Sequence, residues 1–168
     1  MLLRMLGSIK RWTASEHHIN RLDPTLWGDA VTDLKTSGDT LSTWIANNED
    51  EMNTAFVALA LGKDEPSKIS YVKIDEQDLA GMEIAIATND GSARGLDEKL
   101  LKNHRDLIDM DMSHINALAE YILSLMPNKE RCDTYPRDKV IKLLNQYKKA
   151  NKIKVEEMNP KLKDKLNW

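Results

Sequence analysis

The chain has 168 residues, with 27 acidic and 24 basic side chains and one cysteine. This length predicts a single domain whose core is large enough to fold without disulfide bonds. One cysteine excludes an internal disulfide and a cysteine-based zinc site within the chain, and together with the lack of a membrane-length apolar run it predicts a cytoplasmic protein without a membrane span.

Charge is distributed unevenly along the chain. Residues 1–128 carry 21 acidic and 12 basic side chains, a formal balance of −9, whereas residues 129–168 carry 6 acidic and 12 basic ones, a balance of +6. Such an asymmetry concerns partners and contacts within the molecule rather than the fold. It predicts an acidic body followed by a lysine-rich C-terminal segment.

The N-terminal region contains two predicted elements. Residues 1–12 are apolar with interspersed basic side chains, which favours a terminal helix or arm. Asp23 and Pro24 then form a helix start, with the aspartate as N-cap and the proline at the first helical position. Apolar residues recur at helical spacing after them, and the helix is expected to end near residues 37–38.

The middle of the chain alternates between strand and helix patterns. Residues 40–46 are rich in β-branched and aromatic side chains and predict a strand. Asn48 is the expected N-cap of a helix that Gly62 closes. Residues 68–75 and 82–88 predict two further strands, of which the second is apolar on both faces and is expected to be covered on both.

The C-terminal third is predicted to be mainly helical. A short helix is expected over residues 96–104, and a longer one over residues 112–126, where apolar side chains recur every three and four positions. A third helix is expected over residues 136–150, and residues 152–156 favour a short edge strand. Asp111 is the expected N-cap of the long helix.

These elements together predict an α+β fold. A small mixed sheet of about three to four strands is expected to be covered by helices, followed by a helical C-terminal third. The predicted organisation is an N-terminal helix or arm over residues 1–12, a single α+β domain over residues 13–151 and a basic C-terminal extension over residues 152–168.

The densest group of potential metal ligands lies in residues 104–114. On one continuous helix His104 and Asp111 would lie about 20° apart. The spacing matches no metal-binding signature, and Asp111 is also needed as a helix cap, so no metal site and no cofactor are predicted. Adjacent His17 and His18 lack an identifiable catalytic partner. The group consists of His104, Asp106, Asp109, Asp111 and His114.

Two loops are further candidates for chemistry. The glycine-containing loop over residues 91–95 lies between a predicted strand and a predicted helix, a placement that suits anion binding. Its candidate residues are Gly91, Ser92, Arg94 and Gly95. Cys132 is predicted in a polar loop beside Asp133, where the neighbouring negative charge disfavours the thiolate and argues against a nucleophilic role.

The basic segment over residues 129–168 has three possible roles. Its lysines can neutralise nucleic-acid phosphates, compensate the acidic body within one domain, or simply be solvated. Within it, an apolar stripe at helical spacing must dock on other residues. That stripe consists of Val140, Leu143, Leu144 and Tyr147.

The acidic body predicts a surface for a basic partner. Carboxylates that mimic phosphates steer basic proteins, and tryptophans supply interface anchors. The predicted function is therefore a non-enzymatic, cytoplasmic protein-binding module, most specifically an immunity- or antitoxin-like inhibitor of a basic toxin or nuclease. The alternatives are a nucleic-acid-associated regulator that uses the lysine-rich segment, and a small enzyme at the 91–95 loop and the 104–114 cluster. The partner-binding candidates are Trp27, Asp29, Asp33, Asp39, Trp44, Glu49, Asp50 and Glu51.

Overall fold

A computed structural model describes residues 1–12, 30 and 32–168. In this part of the chain six strands form one sheet, in the order β4-β5-β2-β1-β3-β6, and every neighbouring pair is antiparallel. The strands are β1 (Leu2–Leu6), β2 (Leu41–Ile45), β3 (Ile69–Ile74), β4 (Ala85–Thr88), β5 (His104–Ile108) and β6 (Cys132–Tyr135).

The α+β class is confirmed, but the predicted small mixed sheet of three to four strands is wrong. Three of the six strands were not expected. Strand β1 occupies the N-terminal segment whose apolar pattern predicts a helix or arm, β5 begins where the helix predicted over residues 96–104 should end, and β6 contains Cys132, which the sequence predicts in a loop. Each of these strands forms through pairing with a strand distant in sequence, which a local pattern does not record.

Strand β1 lies inside the sheet, between β2 and β3. Leu2 is paired with Ile45 on one side and with Ile74 on the other. Successive side chains of a strand point to opposite faces, so Leu3 packs into one apolar core and Leu2 into another. Because both faces of β1 are covered, its sequence lacks the polar–apolar alternation of a half-exposed strand.

Helices cover both faces of the sheet. The helices bounded within the described residues are α1 (Glu49–Leu61), α2 (Glu76–Gly81), α3 (Glu98–Leu101), α4 (Met112–Leu125), α5 (Arg137–Lys149) and α6 (Pro160–Leu166). Helices α1 and α5 pack together and share the first core with Leu3 and Tyr71, while α4 packs into the second core with Leu2 and Val72.

Local end signals position two of the three long predicted helices correctly. The Asn48 side chain accepts a hydrogen bond from the Glu51 amide at 2.9 Å at the start of α1, and Gly62 is its C-cap. Asp111 caps α4 through the amides of Ser113 and His114. These caps satisfy amides that have no partner within the helix.

Other predicted elements are shorter than expected or lie outside the described residues. The strand over residues 82–88 is reduced to β4, an edge strand with partly exposed side chains rather than one covered on both faces. The tail forms a single bridge between Leu96 and Ile153 and a 3-10 turn at Val155–Glu157. The helix expected from Asp23 lies largely outside the described residues, which include helical Ala30 and a 3-10 turn at Thr32–Leu34.

Candidate functional site

An aromatic cavity of about 580 Å³ opens between the start of α1, the sheet edge at β3 and β6, and the start of α5. Its floor is a cluster of three rings. Phe56 stacks on Tyr135 at a centroid distance of 4.2 Å and meets Tyr71 edge-on at 5.1 Å. The volume and the aromatic lining are typical of ligand-binding clefts. Polar lining residues include Asn48, Glu49, Asn53, Lys73, Asp133 and Lys139.

Strand pairing brings the two tyrosines of the cavity together. Tyr135 of β6 is paired with Ile69 of β3, and Tyr71 is paired with Asp133. Paired residues, and those two positions along, share one face of a sheet, so Tyr71, Asp133 and Tyr135 lie on the same face. Phe56 reaches them from α1, whose first turn is fixed by the Asn48 cap.

Burial and nearby carboxylates both raise the pKa values of the two cavity tyrosines. Burial raises the pKa of Tyr71, and the negative charge of Asp133 raises it further. Burial likewise raises the pKa of Tyr135, with contributions from Glu49 and Asp138. Both phenols therefore stay neutral at physiological pH, as donors and acceptors beside negative charge.

The predicted acidic surface is divided between two ends of the sheet. Asp39 precedes β2 and Glu49 follows it, and the five residues of the strand alone span about 13 Å. Asp33 is engaged locally: its carboxylate accepts a hydrogen bond from the Trp12 indole at 2.9 Å, and its carbonyl accepts one from Arg4 at 2.7 Å. The carboxylates that precede β2 and those at the start of α1 therefore do not form one patch.

The acidic residues at the start of α1 lie beside the aromatic cavity. Glu49 and Asp50 are exposed, and Glu49 lines the cavity. Glu51 is partly buried and its carboxylate accepts a hydrogen bond from the Asn47 amide at 2.7 Å. The structure thus brings together Glu49 from the predicted set with Phe56, Tyr71 and Tyr135, which the sequence does not predict as a site.

Of the two predicted tryptophan anchors, only Trp44 belongs to the described residues, and it does not lie at this surface. Trp44 is buried in the first core and meets the His104 ring edge-on at 5.2 Å. Trp27 and Asp29 lie outside the described residues. Aromatic anchoring near the acidic turn is therefore available from the cavity tyrosines rather than from Trp44.

His104 and Asp106 belong to strand β5, whereas Asp111 and His114 lie at the start of α4, so these residues do not share one helix. The Asp106 carboxylate accepts hydrogen bonds from the Ser42 hydroxyl at 3.2 Å and from the Asn89 amide at 3.0 Å. His104 Nδ1 lies 3.2 Å from the Asn89 carbonyl oxygen and Nε2 lies 3.6 Å from Asp106. Ser42 contacts Asp106 rather than His104, which is not the arrangement of a histidine-activated serine.

His114 lies in α4, apart from this polar group. Its side chain closes the capping box at the start of that helix, where Nδ1 accepts a hydrogen bond from the Asp111 amide at 3.4 Å. Asp109 precedes the helix in an exposed turn with positive φ. The potential ligands therefore divide between a sheet face and a helix start, and His17 and His18 lie outside the described residues.

The loop over residues 91–95 packs tightly against the sheet. Gly91 donates its amide hydrogen to the Leu101 carbonyl at 3.1 Å. Gly95 has φ +81°, and a Cβ there would lie 2.8 Å from the Lys154 carbonyl oxygen. Ser92 and Arg94 are exposed, and α3, which follows, has only four residues. The glycines allow a close approach of backbone to neighbouring groups, which accounts for their positions.

Cys132 is a buried residue of β6, where it pairs with Val72. Burial raises the pKa of its thiol to about 12. The sequence argues against a nucleophilic role through the negative charge of Asp133. In the structure, desolvation is the main physical cause of the raised pKa, and the positive charge of Arg131 lowers it.

The basic C-terminal segment is packed on the body. The predicted stripe of α5 is buried in the first core, where the Tyr147 hydroxyl lies 3.0 Å from that of Thr54. Lys161 pairs with Asp64 at 2.8 Å and Lys154 with Glu98 at 3.4 Å. These two ion pairs offset part of the positive charge of the segment within the molecule. Lys139, Lys142 and Lys149 are exposed on α5.

Comparisons of the chain with protein-family models, curated proteins and solved structures found no match. Across the described ranges 1–12, 30 and 32–168, no group of three or more His, Cys, Asp or Glu side chains is arranged to hold a metal ion. None of the helices in that part of the chain is both long enough and apolar enough to cross a membrane.

Proposed function

We propose that this chain is a non-enzymatic protein-binding module whose partner carries a basic surface. The observation that supports this best is the aromatic cavity lying directly beside the acidic first turn of α1. Tyrosine rings supply contact area at a low cost in conformational entropy, and carboxylates around them attract and orient a basic partner. The most specific form of the proposal is neutralisation of a basic toxin or nuclease in the cytoplasm.

The formal charge of residues 1–128 supports this proposal in sign. The body has a formal balance of −9 over residues 1–128. Exposed Glu49 and Asp133 line the aromatic cavity beside Lys73 and Lys139, and exposed Asp50 and Asp138 add negative charge in the first turns of α1 and α5. A field of this sign accelerates encounter with positively charged proteins and weakens as salt is added.

An oligolysine peptide tests the electrostatic part of the proposal. We expect it to bind the protein at low ionic strength and to be released by salt. The double substitution Glu49→Gln with Asp50→Asn should weaken binding by about two- to thirtyfold, because each exposed ion pair contributes about 0.2–1 kcal/mol. Fluorescence anisotropy of the labelled peptide at several salt concentrations measures this.

A matched variant separates local charge from net charge. Glu120→Gln with Glu130→Gln removes two exposed carboxylates away from the cavity, one on α4 and one in the loop before β6. At moderate ionic strength, where salt screens distant charges, this variant should bind oligolysine within about twofold of the parent. Equal losses in both double variants, or tighter binding of a short DNA duplex than of oligolysine, would contradict the proposal.

A further inference from the structure

Strand β4 is an edge of the sheet whose outer side is open. Ala85 and Thr88 are exposed, and none of the residues 84–89 carries a charge. Edge strands of natural proteins are commonly guarded by charged side chains or by proline, because unpaired main-chain groups attract other strands. Strand β4 has neither device, so its outer side is available for pairing.

The opposite edge, β6, is guarded. Its Thr134 amide donates a hydrogen bond to the Asp133 carboxylate at 2.7 Å, and its Cys132 amide donates one to the Asn128 carbonyl at 2.9 Å. Pro136 directly follows the strand and has no amide hydrogen to offer. This edge therefore offers little to another strand, in contrast to β4.

Main-chain hydrogen bonds of β5 show which groups of β4 point outward. The Ile45 amide donates to the Asn103 carbonyl at 2.8 Å, next to the last pair of the β2–β5 ladder. Hydrogen-bonded and non-hydrogen-bonded pairs alternate along an antiparallel ladder, so the odd-numbered residues of β5 bond to β2 and the even-numbered ones bond to β4. The β4 residues opposite the even-numbered ones are Ala85 and Ala87, whose main-chain groups therefore point inward.

The N–H and C=O groups of Ile86 and Thr88 consequently point away from β5. Across the described residues, none of these four groups takes part in a hydrogen bond. The preceding outward residue, Ile84, differs because its amide donates to the Leu79 carbonyl at 3.0 Å. Two donors and two acceptors thus remain for another strand, with the spacing of successive hydrogen-bonded pairs in an antiparallel ladder.

We propose that β4 pairs with β4 of a second copy of this chain, antiparallel about a two-fold axis at Ala87, so that the two sheets become one. In this register Ile86 lies opposite Thr88 of the partner subunit, and Thr88 lies opposite Ile86 of the partner subunit. Each of these two pairs exchanges two hydrogen bonds, so all the free groups of both edges are satisfied. Any other antiparallel register confined to β4 leaves some of them unpaired.

The absence of charge on this edge favours a second copy over the basic partner proposed above. Two uncharged strands approach each other without repulsion, whereas an uncharged edge does not attract a basic protein. Pairing also covers Ile86, which is partly exposed where it packs on the second core. The aromatic cavity lies at the opposite edge, about five strand spacings or about 24 Å away, so the dimer leaves both cavities open. The inference is therefore independent of the proposed function.

Cysteine cross-linking tests the two-fold register. Ala87→Cys places two thiols opposite each other in a non-hydrogen-bonded pair, whose Cα atoms lie about 4.5 Å apart, a distance that a disulfide spans. Ala85→Cys is the matched control, because it is more exposed but its two copies lie about 13 Å apart along the strands. Native Cys132 is buried and does not compete. Under mild oxidation we expect Ala87→Cys to form covalent dimers at least about tenfold faster than Ala85→Cys.

Two opposite charges test the same contact without a covalent bond. Ala87→Lys and Ala87→Glu should each weaken self-association by at least about tenfold in sedimentation velocity, because like charges then lie directly opposite each other. Mixing the two variants should restore the dimer. Ala150→Lys adds a charge at the exposed end of α5, outside the sheet, and should associate like the parent. Thermal unfolding of each variant checks that it is folded.

The outcomes separate this inference from the proposed function. A parent that stays monomeric up to about 1 mM, or Ala85→Cys that cross-links as fast as Ala87→Cys, would overturn the β4 dimer even if oligolysine still bound. Dimers that persist in both charge variants would also overturn it, because they would form through another surface. A dimer with the expected pattern in a protein that does not bind oligolysine would retain this inference and reject the electrostatic module.

Discussion

Gly91 lies so close to Trp44 that a side chain at this position requires the ring to move. A Cβ would be 2.7 Å from Trp44 Cη2 and 3.1 Å from the Cβ of His104. Trp44 is itself buried, so it has little room to move. We expect Gly91→Ala to lower the free energy of unfolding by about 1–3 kcal/mol through overpacking, as measured by urea denaturation.

Gly81 is the control for Gly91. A Cβ at Gly81 meets nothing within 4 Å, and the residue ends α2. Gly81→Ala should therefore change stability by no more than about 1 kcal/mol, in the stabilising direction if at all, because alanine restricts the unfolded chain. If both substitutions cost the same, the contact with Trp44 is not the cause.

The buried thiol of Cys132 should be almost unreactive in the folded protein. Its pKa of about 12 leaves about one molecule in 10⁴ as the thiolate at pH 8, whereas an unfolded cysteine with a pKa of about 8.5 is about one-quarter ionised. We expect alkylation by iodoacetamide at pH 8 to be at least about 100-fold slower in the native protein than in guanidinium chloride. Mass spectrometry of timed samples measures both rates.

The same pKa predicts how Cys132 affects stability at alkaline pH. Because the pKa is raised on folding, the folded state holds the proton more tightly. The stabilising effect is complete below the unfolded pKa of about 8.5 and is lost as pH rises toward about 12. In Cys132→Ala the free energy of unfolding should therefore fall less steeply with pH above about pH 9. An unchanged slope, or rapid native alkylation, would contradict this burial of the thiol.

At the scale of elements, helices with local end signals were predictable from the sequence. The cap of α1 joins Asn48 to an amide three residues on, and the Asp111 cap of α4 likewise involves neighbours. Such contacts are encoded within one turn of the chain. The positions of Glu49 and Asp50 in the first turn of α1 followed from the same reasoning.

The missed strands depend on partners that no local pattern reveals. Strand β1 is apolar on both faces because neighbours cover both, so its sequence resembles a short helix. Strand β5 buries His104 and Asp106, which local hydrophobicity assigns to the surface. The cavity was missed for the same reason, since Tyr71 and Tyr135 meet only when β6 pairs with β3.

At the scale of the whole molecule, the C-terminal segment belongs to the first core. Ile153, Met158 and Leu162 are all buried there with α1 and α5. Main-chain hydrogen bonds join this segment to the 91–95 loop, with the Lys154 amide donating to the Gly95 carbonyl at 2.7 Å. The basic segment is thereby packed against the acidic body and does not form a free tail.

Removing residues 152–168 should therefore unfold or severely destabilise the protein. Each of the three buried side chains contributes about 1.5–3 kcal/mol, so their loss costs about 5–9 kcal/mol, comparable with the whole stability of a typical domain at about 5–15 kcal/mol. Circular dichroism during thermal unfolding measures the effect.

The triple variant Lys152→Ser, Lys163→Ser and Lys165→Ser keeps the chain and removes exposed or partly exposed charge. It should unfold near the parent temperature, because the energy lies in apolar burial. A truncated chain that kept the parent midpoint would instead mean that α6 and the preceding turn contribute no net stability to the first core.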